Sequence, residues 1–170
     1  MSGINAEPPE EKKPRKYVLD SFALIAYLDA EPSGLLVRQL IEQASSEQPL
    51  FLSVINLGEV VYDTERDNGR DAAEEALASI RRLPISIIGA EENRVLAAAH
   101  IKANYRVSYA DAFAIALAQE LNATIVTGDP EFRNAERIVD ILWLTEPRRR
   151  ALRERRTTYR LKPSRKKQAR

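Results

Sequence analysis

The chain has 170 residues and a formal net charge of +1, enough for one domain with a substantial core and some sequence outside it. It contains no cysteine, which excludes disulfides, thiolate metal sites and cysteine nucleophiles, so any metal would take mainly oxygen ligands. We find no apolar run near the roughly 18 residues of a membrane span and no signal-peptide pattern, so we expect a cytoplasmic protein without a membrane partner.

Strands and helices alternate along the predicted domain, residues 17–145, after a leader (residues 1–16) whose Pro, Glu and Lys content predicts disorder. Strands are predicted at 17–19, 49–54, 85–89, 124–128 and 140–144, and helices at 21–28, 34–45, 55–67, 71–82, 91–103, 109–121 and, as a short turn, 130–133. This order indicates βαβ units and an α/β fold, a three-layer α/β/α sandwich with a mostly parallel central sheet. We expect Trp143 in the core and the single histidine, His100, on a helix surface rather than in catalysis.

Four acidic residues fall where such a sheet presents its carboxyl edge, the edge at which α/β folds bind ligands. Asp20 and Asp129 follow predicted strands, whereas Glu59 and Asp111 lie in the first or second turn of a helix. Each acid also has a purely structural explanation, as a helix cap, a capping-box member or a solvated helix residue. Glu59 and Asp111 are flanked by apolar sequence, however, which is not typical of a solvated face. We therefore expect the four carboxylates to converge in one cleft.

Clustered carboxylates need a compensating positive charge, because like charges a few ångströms apart raise one another's pKa values. Oxygen-only ligands select Mg²⁺ or Mn²⁺. Since Mg²⁺ usually keeps several waters and completes its shell with a substrate phosphate, the cluster favours metal-dependent phosphoryl chemistry.

Four motifs resemble those of PIN-domain ribonucleases, in particular the toxins of bacterial and archaeal VapBC toxin–antitoxin modules. They are "VLDSFALIAYL", "LSVINLGEV", "VSYADAFAIALA" and "TIVTGDPEF", and the resemblance extends over residues 17–144. It implies metal-binding and catalytic roles for Asp20, Glu59, Asp111 and Asp129, and it matches Thr127 to the hydroxyl residue before the last acid. It also implies Mg²⁺- or Mn²⁺-dependent hydrolysis of single-stranded or loop RNA, a homodimer and a cognate antitoxin.

Two features depart from the toxin pattern. Asn56 stands one turn before Glu59, where these toxins often carry Ser or Thr. We expect Asn56 and Ser21 to position the carboxylates, with helix-end hydrogen bonding as the alternative. The second departure is a basic C-terminal tail, residues 146–170, which keeps an RNA-processing PIN nuclease without an antitoxin open as an alternative.

The tail concentrates the positive charge of the chain. Residues 148–170 hold twelve Lys and Arg against one acid, a net +11, while residues 1–147 hold fourteen against twenty-four acids, a net −10. Such a tail favours contact with RNA phosphates, although a solvated extension is the alternative. The residues predicted to bind RNA are Arg148, Arg149, Arg150, Arg153, Arg155 and Arg156.

Three other functions fit parts of the sequence less well. A DNA flap nuclease would need a helical arch insertion, which the sequence lacks. A receiver-like or phosphatase domain usually carries a strand-end lysine, but no lysine lies between Lys16 and Lys102. A non-catalytic RNA-binding PIN scaffold would not require all four acids.

Overall fold

The computed structural model of the chain describes residues 15–144, so the predictions for the basic tail and most of the leader lie outside the described residues. The strands are β1 Tyr17–Leu19, β2 Leu50–Ser53, β3 Ile85–Ile88, β4 Thr124–Thr127 and β5 Ile141–Trp143. The helices are α1 Ser21–Leu28, α2 Gly34–Gln43, α3 Val54–Asn68, α4 Arg70–Ile80, α5 Glu92–Asn104 and α6 Tyr109–Leu121, followed by a 3-10 helix, Pro130–Ala135.

The five strands form one sheet in the order β3-β2-β1-β4-β5, and every neighbouring pair is parallel. The central strand, β1, pairs Val18 with Phe51 of β2 on one side and with Ile125 of β4 on the other. Val18 and Leu19 are both fully buried. A run of consecutive apolar residues is what a parallel strand needs, because helices cover both of its faces.

Two apolar cores lie on opposite faces of the sheet, because successive side chains of a strand point to opposite sides. Leu19 and Val126 pack with α1 to α4, whereas Val18 and Ile125 pack with α5, α6 and the 3-10 helix. The predicted three-layer α/β/α fold is therefore confirmed, with a sheet that is parallel throughout.

The strand order changes direction between β1 and β4. From β1 the chain proceeds to β2 and β3 on one side, and it then places β4 and β5 on the other side. At such a switch point the connections that leave adjacent strands diverge and leave a crevice at the carboxyl ends, where ligands of open α/β sheets bind. Asp20 lies at this point, since its backbone N–H extends the strand pairing by donating to the Val126 carbonyl at 3.4 Å.

Gly128 allows the two sides of this crevice to approach closely. A Cβ atom on Gly128 would lie closer to Cε1 of Phe22 than real Cβ contacts allow. The Phe22 ring of α1 thus lies against the backbone that follows β4. The absence of a side chain at residue 128 helps to set the spacing between the start of α1 and Asp129.

Most predicted elements agree with the structure to within one or two residues, and α1 and α6 have the predicted bounds. The prediction for Trp143 was only partly right, because β5 is an edge strand. Its side chain is half-buried, packs partly against the core, and has the Arg133 guanidinium 5.9 Å from its ring centroid. His100 is exposed on α5, as predicted. Over residues 15–144 the longest helix has 15 residues, and no helix qualifies as a membrane span.

Candidate active site

Asp20 performs two structural tasks at once. Its side chain is 1% exposed, and its Oδ1 accepts a hydrogen bond from the Ala23 N–H at 2.8 Å, which caps α1. Its Oδ2 accepts a 2.5 Å hydrogen bond from the Thr127 hydroxyl at the end of β4. Helix capping explains the hydrogen bond of Oδ1 only. The hydrogen bond of Oδ2 to Thr127 ties Asp20 to β4 as well.

The Thr127 hydroxyl links two acids. While it donates to Asp20, its Oγ1 accepts the backbone N–H of Asp129 at 2.9 Å. Asp129 is half-buried, and its Oδ1 accepts the Glu131 N–H at 2.8 Å, which caps the 3-10 helix. One buried hydroxyl thereby fixes the acids that follow β1 and β4 relative to each other.

Glu59 reaches the same edge from α3, a helix that begins directly after β2 and is capped by Ser53. Its Oε2 accepts a 2.5 Å hydrogen bond from the Ser21 hydroxyl, and its Oε1 accepts one from the Tyr62 hydroxyl at 3.3 Å. Both oxygens of this carboxylate are therefore oriented, one from α1 and one from its own helix.

Asn56 lies behind Ser21 and is fully buried. Its Nδ2 donates to the Ser21 hydroxyl oxygen at 3.2 Å, which completes a chain of hydrogen bonds from Asn56 through Ser21 to Glu59. Its Oδ1 is the one buried side-chain nitrogen or oxygen among residues 15–144 that has no hydrogen-bond partner. A buried acceptor without a partner is costly, so a donor that reached this oxygen would stabilise the protein.

Asp111 comes from the first turn of α6, which ends just before β4 and therefore begins at the carboxyl edge. The predicted capping box is confirmed: the Ser108 hydroxyl accepts the Asp111 N–H, and Asp111 Oδ2 accepts the Ser108 N–H, both at 3.0 Å. Asp111 is nevertheless 6% exposed, far more buried than a capping role requires.

The four acids form one electrostatically coupled cluster. Burial raises the pKa of Asp20 well above its usual range, against the lowering effect of its hydrogen bonds, and the charges of Asp111 and Asp129 raise it further. Burial likewise raises the pKa of Asp111 to about 6, and the charges of Asp129 and Glu59 add to the rise. No cationic side chain is among the main influences on either group, so the described residues supply little compensating charge at this point.

The donor set suits a hydrated divalent cation better than a tightly enclosed one. Within the described part of the chain, no three acidic or histidine side chains are arranged to bind one ion directly. Each of the four acids instead gives at least one oxygen to a hydrogen bond within the protein. Mg²⁺ retains several waters and needs only one or two carboxylates, so clustered carboxylates with excess negative charge fit it chemically.

Two clefts, of about 500 and 390 Å³, flank Lys16 at the opposite, amino edge of the sheet. None of the four acids lines either cleft.

The structure brings together every predicted site residue that it describes. Ser21 and Asn56, which were expected to position the acids, and Thr127, which matches the hydroxyl residue before the last acid, all belong to the hydrogen-bond network of the cluster. The six tail arginines lie outside the described residues. Sequence reasoning missed Tyr62, although its position three residues after Glu59 on one helix places both side chains on the same face.

The sequence of residues 17–138 matches the family model of the PIN domain. The chain belongs to the PIN domain family. The predicted resemblance is therefore confirmed, and the matched segment of the PIN domain includes all four acids. No curated protein matches the chain.

Solved structures similar to this PIN domain include several toxin–antitoxin proteins. A toxin–antitoxin complex from Klebsiella pneumoniae aligns with a TM-score of 0.57 and 17% identity, over 77% of this chain and 99% of the other. DNA-bound VapBC from Salmonella typhimurium aligns with a TM-score of 0.60 and 16% identity, over 78% of this chain and 100% of the other. The sarcin–ricin loop cleaving toxin VapC20 from Mycobacterium tuberculosis aligns with a TM-score of 0.58 and 16% identity, over 71% of this chain and 95% of the other. At these identities the similarity shows a shared fold.

The raised pKa of Asp111 predicts how the stability of the metal-free protein depends on pH. The folded protein keeps the Asp111 proton up to about pH 6, whereas an unfolded chain loses it near pH 4. The folded state therefore binds more protons between these values, and stability falls as the pH rises through this window. In EDTA at pH 7, Asp111→Asn should increase the free energy of unfolding by about 2 kcal/mol. A shift of about two pKa units corresponds to roughly 3 kcal/mol, and the lost attraction of the carboxylate to the helix N-terminus offsets about 1 kcal/mol of it. The gain should vanish below about pH 4, where Asp111 is neutral in both states.

Urea unfolding at a series of pH values measures this effect. Asp71→Asn is the matched control, because Asp71 is also an acid in the first turn of a helix but is exposed. It should change the unfolding free energy by no more than about 0.5 kcal/mol, as surface substitutions usually do. Equal stability of wild type and Asp111→Asn from pH 4 to 7 would mean that burial imposes no charge penalty at Asp111.

Proposed function

We propose that this PIN domain is a Mg²⁺- or Mn²⁺-dependent endoribonuclease that hydrolyses single-stranded or loop RNA. The observation that carries the proposal is the convergence of four carboxylates, two of them almost fully buried with raised pKa values, at the switch point of the sheet. Placing so much uncompensated negative charge together destabilises a protein, so a catalytic use of the charge explains it better than capping. The similar fold of a sarcin–ricin loop cleaving toxin supports the same function.

In this proposal the cluster holds the metal, and the surrounding hydroxyls hold the cluster. Asp20, Glu59, Asp111 and Asp129 are the proposed ligands, and the bound ion would supply charge compensation and a more acidic water. Thr127 keeps Asp20 and Asp129 in register, and Ser21, itself held by Asn56, orients Glu59. Ser21, Asn56 and Thr127 are buried and hydrogen-bonded, so they have few alternative positions. This favours a site that is ordered before RNA binds.

The reaction is hydrolysis at phosphorus. The oxygen of water forms a bond to the phosphorus atom, and the bond between phosphorus and the 3′ oxygen breaks. The downstream fragment keeps a 5′ phosphate, and the upstream fragment ends in a 3′ hydroxyl. A carboxylate of the cluster orients the attacking water by accepting its hydrogen bond and takes the proton that this water loses, and the 3′ oxygen gains a proton from solvent as it leaves.

We infer that the biological role is that of a toxin with a cognate antitoxin and a homodimeric assembly. Support comes from the similar folds found in toxin–antitoxin complexes. The basic tail favours the second candidate, an RNA-processing nuclease that needs no antitoxin. The Leu144 N–H donates to the Thr127 carbonyl at 2.9 Å, so the last described residue lies beside the end of β4, whose Thr127 side chain contacts Asp20. A tail with this origin is suited to hold RNA phosphates near the site.

Replacing Asp20 by Asn should reduce RNA cleavage about a hundredfold or more, because even residues behind a metal ligand contribute 10- to 100-fold. The fold should persist, since Asn caps a helix about as well as Asp. Cleavage of a labelled single-stranded oligoribonucleotide measures the loss, and Asp140→Asn, at an exposed position on the amino edge, is the control. EDTA should abolish wild-type activity, and Mg²⁺ or Mn²⁺ should restore it. Undiminished cleavage by Asp20→Asn or in excess EDTA would refute the metal mechanism, and a purely RNA-binding scaffold would show no cleavage at all.

Neutralising the six tail arginines should weaken RNA binding in the full-length chain and flatten its dependence on salt. The logarithm of the binding constant falls linearly with the logarithm of the salt concentration. On single strands, every RNA phosphate that the protein no longer neutralises makes this slope shallower by about 0.7. Arginine-to-glutamine changes at residues 148, 149, 150, 153, 155 and 156 test this, with arginine-to-lysine changes at the same positions as a charge-preserving control. Binding titrations at several salt concentrations give the slopes. The same slope in the glutamine and lysine variants would show that the tail does not contact RNA.

A further inference from the structure

Tyr62 is one of five large apolar or aromatic side chains that the structure shows exposed in residues 15–144, and 53% of its surface is open to solvent. Isolated exposed side chains of this kind are common on proteins and by themselves indicate nothing. Tyr62 differs because its hydroxyl donates to Glu59 Oε1 at 3.3 Å. It therefore connects the carboxylate cluster to the solvent-exposed surface of α3.

The ring of Tyr62 has the Arg66 guanidinium over it and remains about half exposed. The Arg66 guanidinium, one turn further along α3, lies 5.9 Å from the ring centroid, within cation–π range. Arg66 is itself paired with Asp63 at 2.5 Å and with Asp67 at 2.9 Å, which restrains its position. With its hydroxyl on Glu59 and its ring beside Arg66, Tyr62 presents a partly fixed aromatic surface next to the acids.

We propose that Tyr62 contacts the substrate, stacking its ring on a nucleobase of the RNA strand at the cleavage site. The inference rests on the proposed function, because it takes single-stranded RNA as the ligand. Unpaired bases of such RNA stack on exposed aromatic side chains, and they do so with little dependence on base identity. Since the same side chain touches Glu59, the stacked base belongs to a nucleotide at or next to the phosphate that the cluster holds.

The two ends of Tyr62 have separable effects. The hydroxyl acts on Glu59, so Tyr62→Phe should lower kcat while RNA affinity stays the same. The ring acts on the base, so Tyr62→Leu should also weaken RNA binding, by about tenfold. A side chain that only filled space on α3 would give no such division between the two variants.

Abasic oligoribonucleotides test the stacking directly. Binding is measured in the Asp20→Asn background with Mg²⁺ present, so that the RNA stays intact, and one base at a time is removed along the strand. At one or two adjacent positions, base removal should weaken binding about tenfold with Tyr62 or Phe at this position, and it should have no effect with Leu. Tyr109→Leu is the matched control, because the exposed Tyr109 ring packs edge-on against Phe113, 5.1 Å between centroids, and should leave the sensitivity intact.

A Tyr62→Trp variant provides a second readout that does not depend on the Leu variant. Trp143 is the only native tryptophan, so fluorescence of the new side chain can be followed against a single background signal. Intact RNA should quench this fluorescence, and RNA with the critical base removed should not.

The outcomes separate this inference from the proposed function. If base removal at one or two positions weakens binding only when residue 62 is aromatic, and the wild type does not cleave RNA, stacking is supported and the nuclease is refuted. If the wild type cleaves RNA but removal of each base affects binding in the same way with Tyr or Leu at residue 62, the nuclease is supported and stacking is overturned. A change of oligomeric state in Tyr62→Leu with unaltered RNA affinity would also overturn it, because the ring would then be a contact between protein chains.

Discussion

The parallel pairing of β1 with β4 is the constraint on which the site depends. It brings Asp20 next to Thr127, which is 107 residues away in the sequence, and it places both at the point where the strand order changes direction. The Thr127 hydroxyl then fixes Asp129. The remaining acids need only helices that begin at the same edge, and α3 and α6 both do so. Four distant motifs thereby become one cluster without any loop of unusual length.

The same arrangement works against stability. Asp20 and Asp111 are removed from water and repel their acidic neighbours, and the raised pKa values express this penalty. The fold tolerates it because the backbone N–H groups of Ala23 and Ser108 and the hydroxyl of Thr127 stabilise the charged forms. A ligand that binds only the native cluster and carries positive charge would return this stability, so metal binding and folding should be linked. The proposed function and the local instability thus have one physical origin.

The sequence predicted the parts of this site that depend on local rules. The alternation of apolar strands with helices predicted the fold, and the Ser-Tyr-Ala-Asp sequence of residues 108–111 predicted the capping box. The apolar flanks of Glu59 and Asp111 indicated that these two acids do not lie on a solvated helix face. Asp20 both caps α1 and belongs to the cluster, because its two carboxylate oxygens accept hydrogen bonds from different donors.

What the sequence could not supply depends on side-chain positions. The unpartnered Asn56 Oδ1 and the contact of Tyr62 with Glu59 require the packing of α1 against α3 and the rotamers on α3. The prediction for Trp143 was only partly right, because edge and central strands look alike in a short apolar run. The central claim is that the four acids bind a divalent cation, and calorimetric titration of Mn²⁺ at pH 7 tests it most directly. Wild type and Asp71→Asn should bind with equal affinity, and Asp111→Asn should bind at least about tenfold more weakly. Equal Mn²⁺ affinity in all three proteins, or no binding by the wild type, would contradict the account.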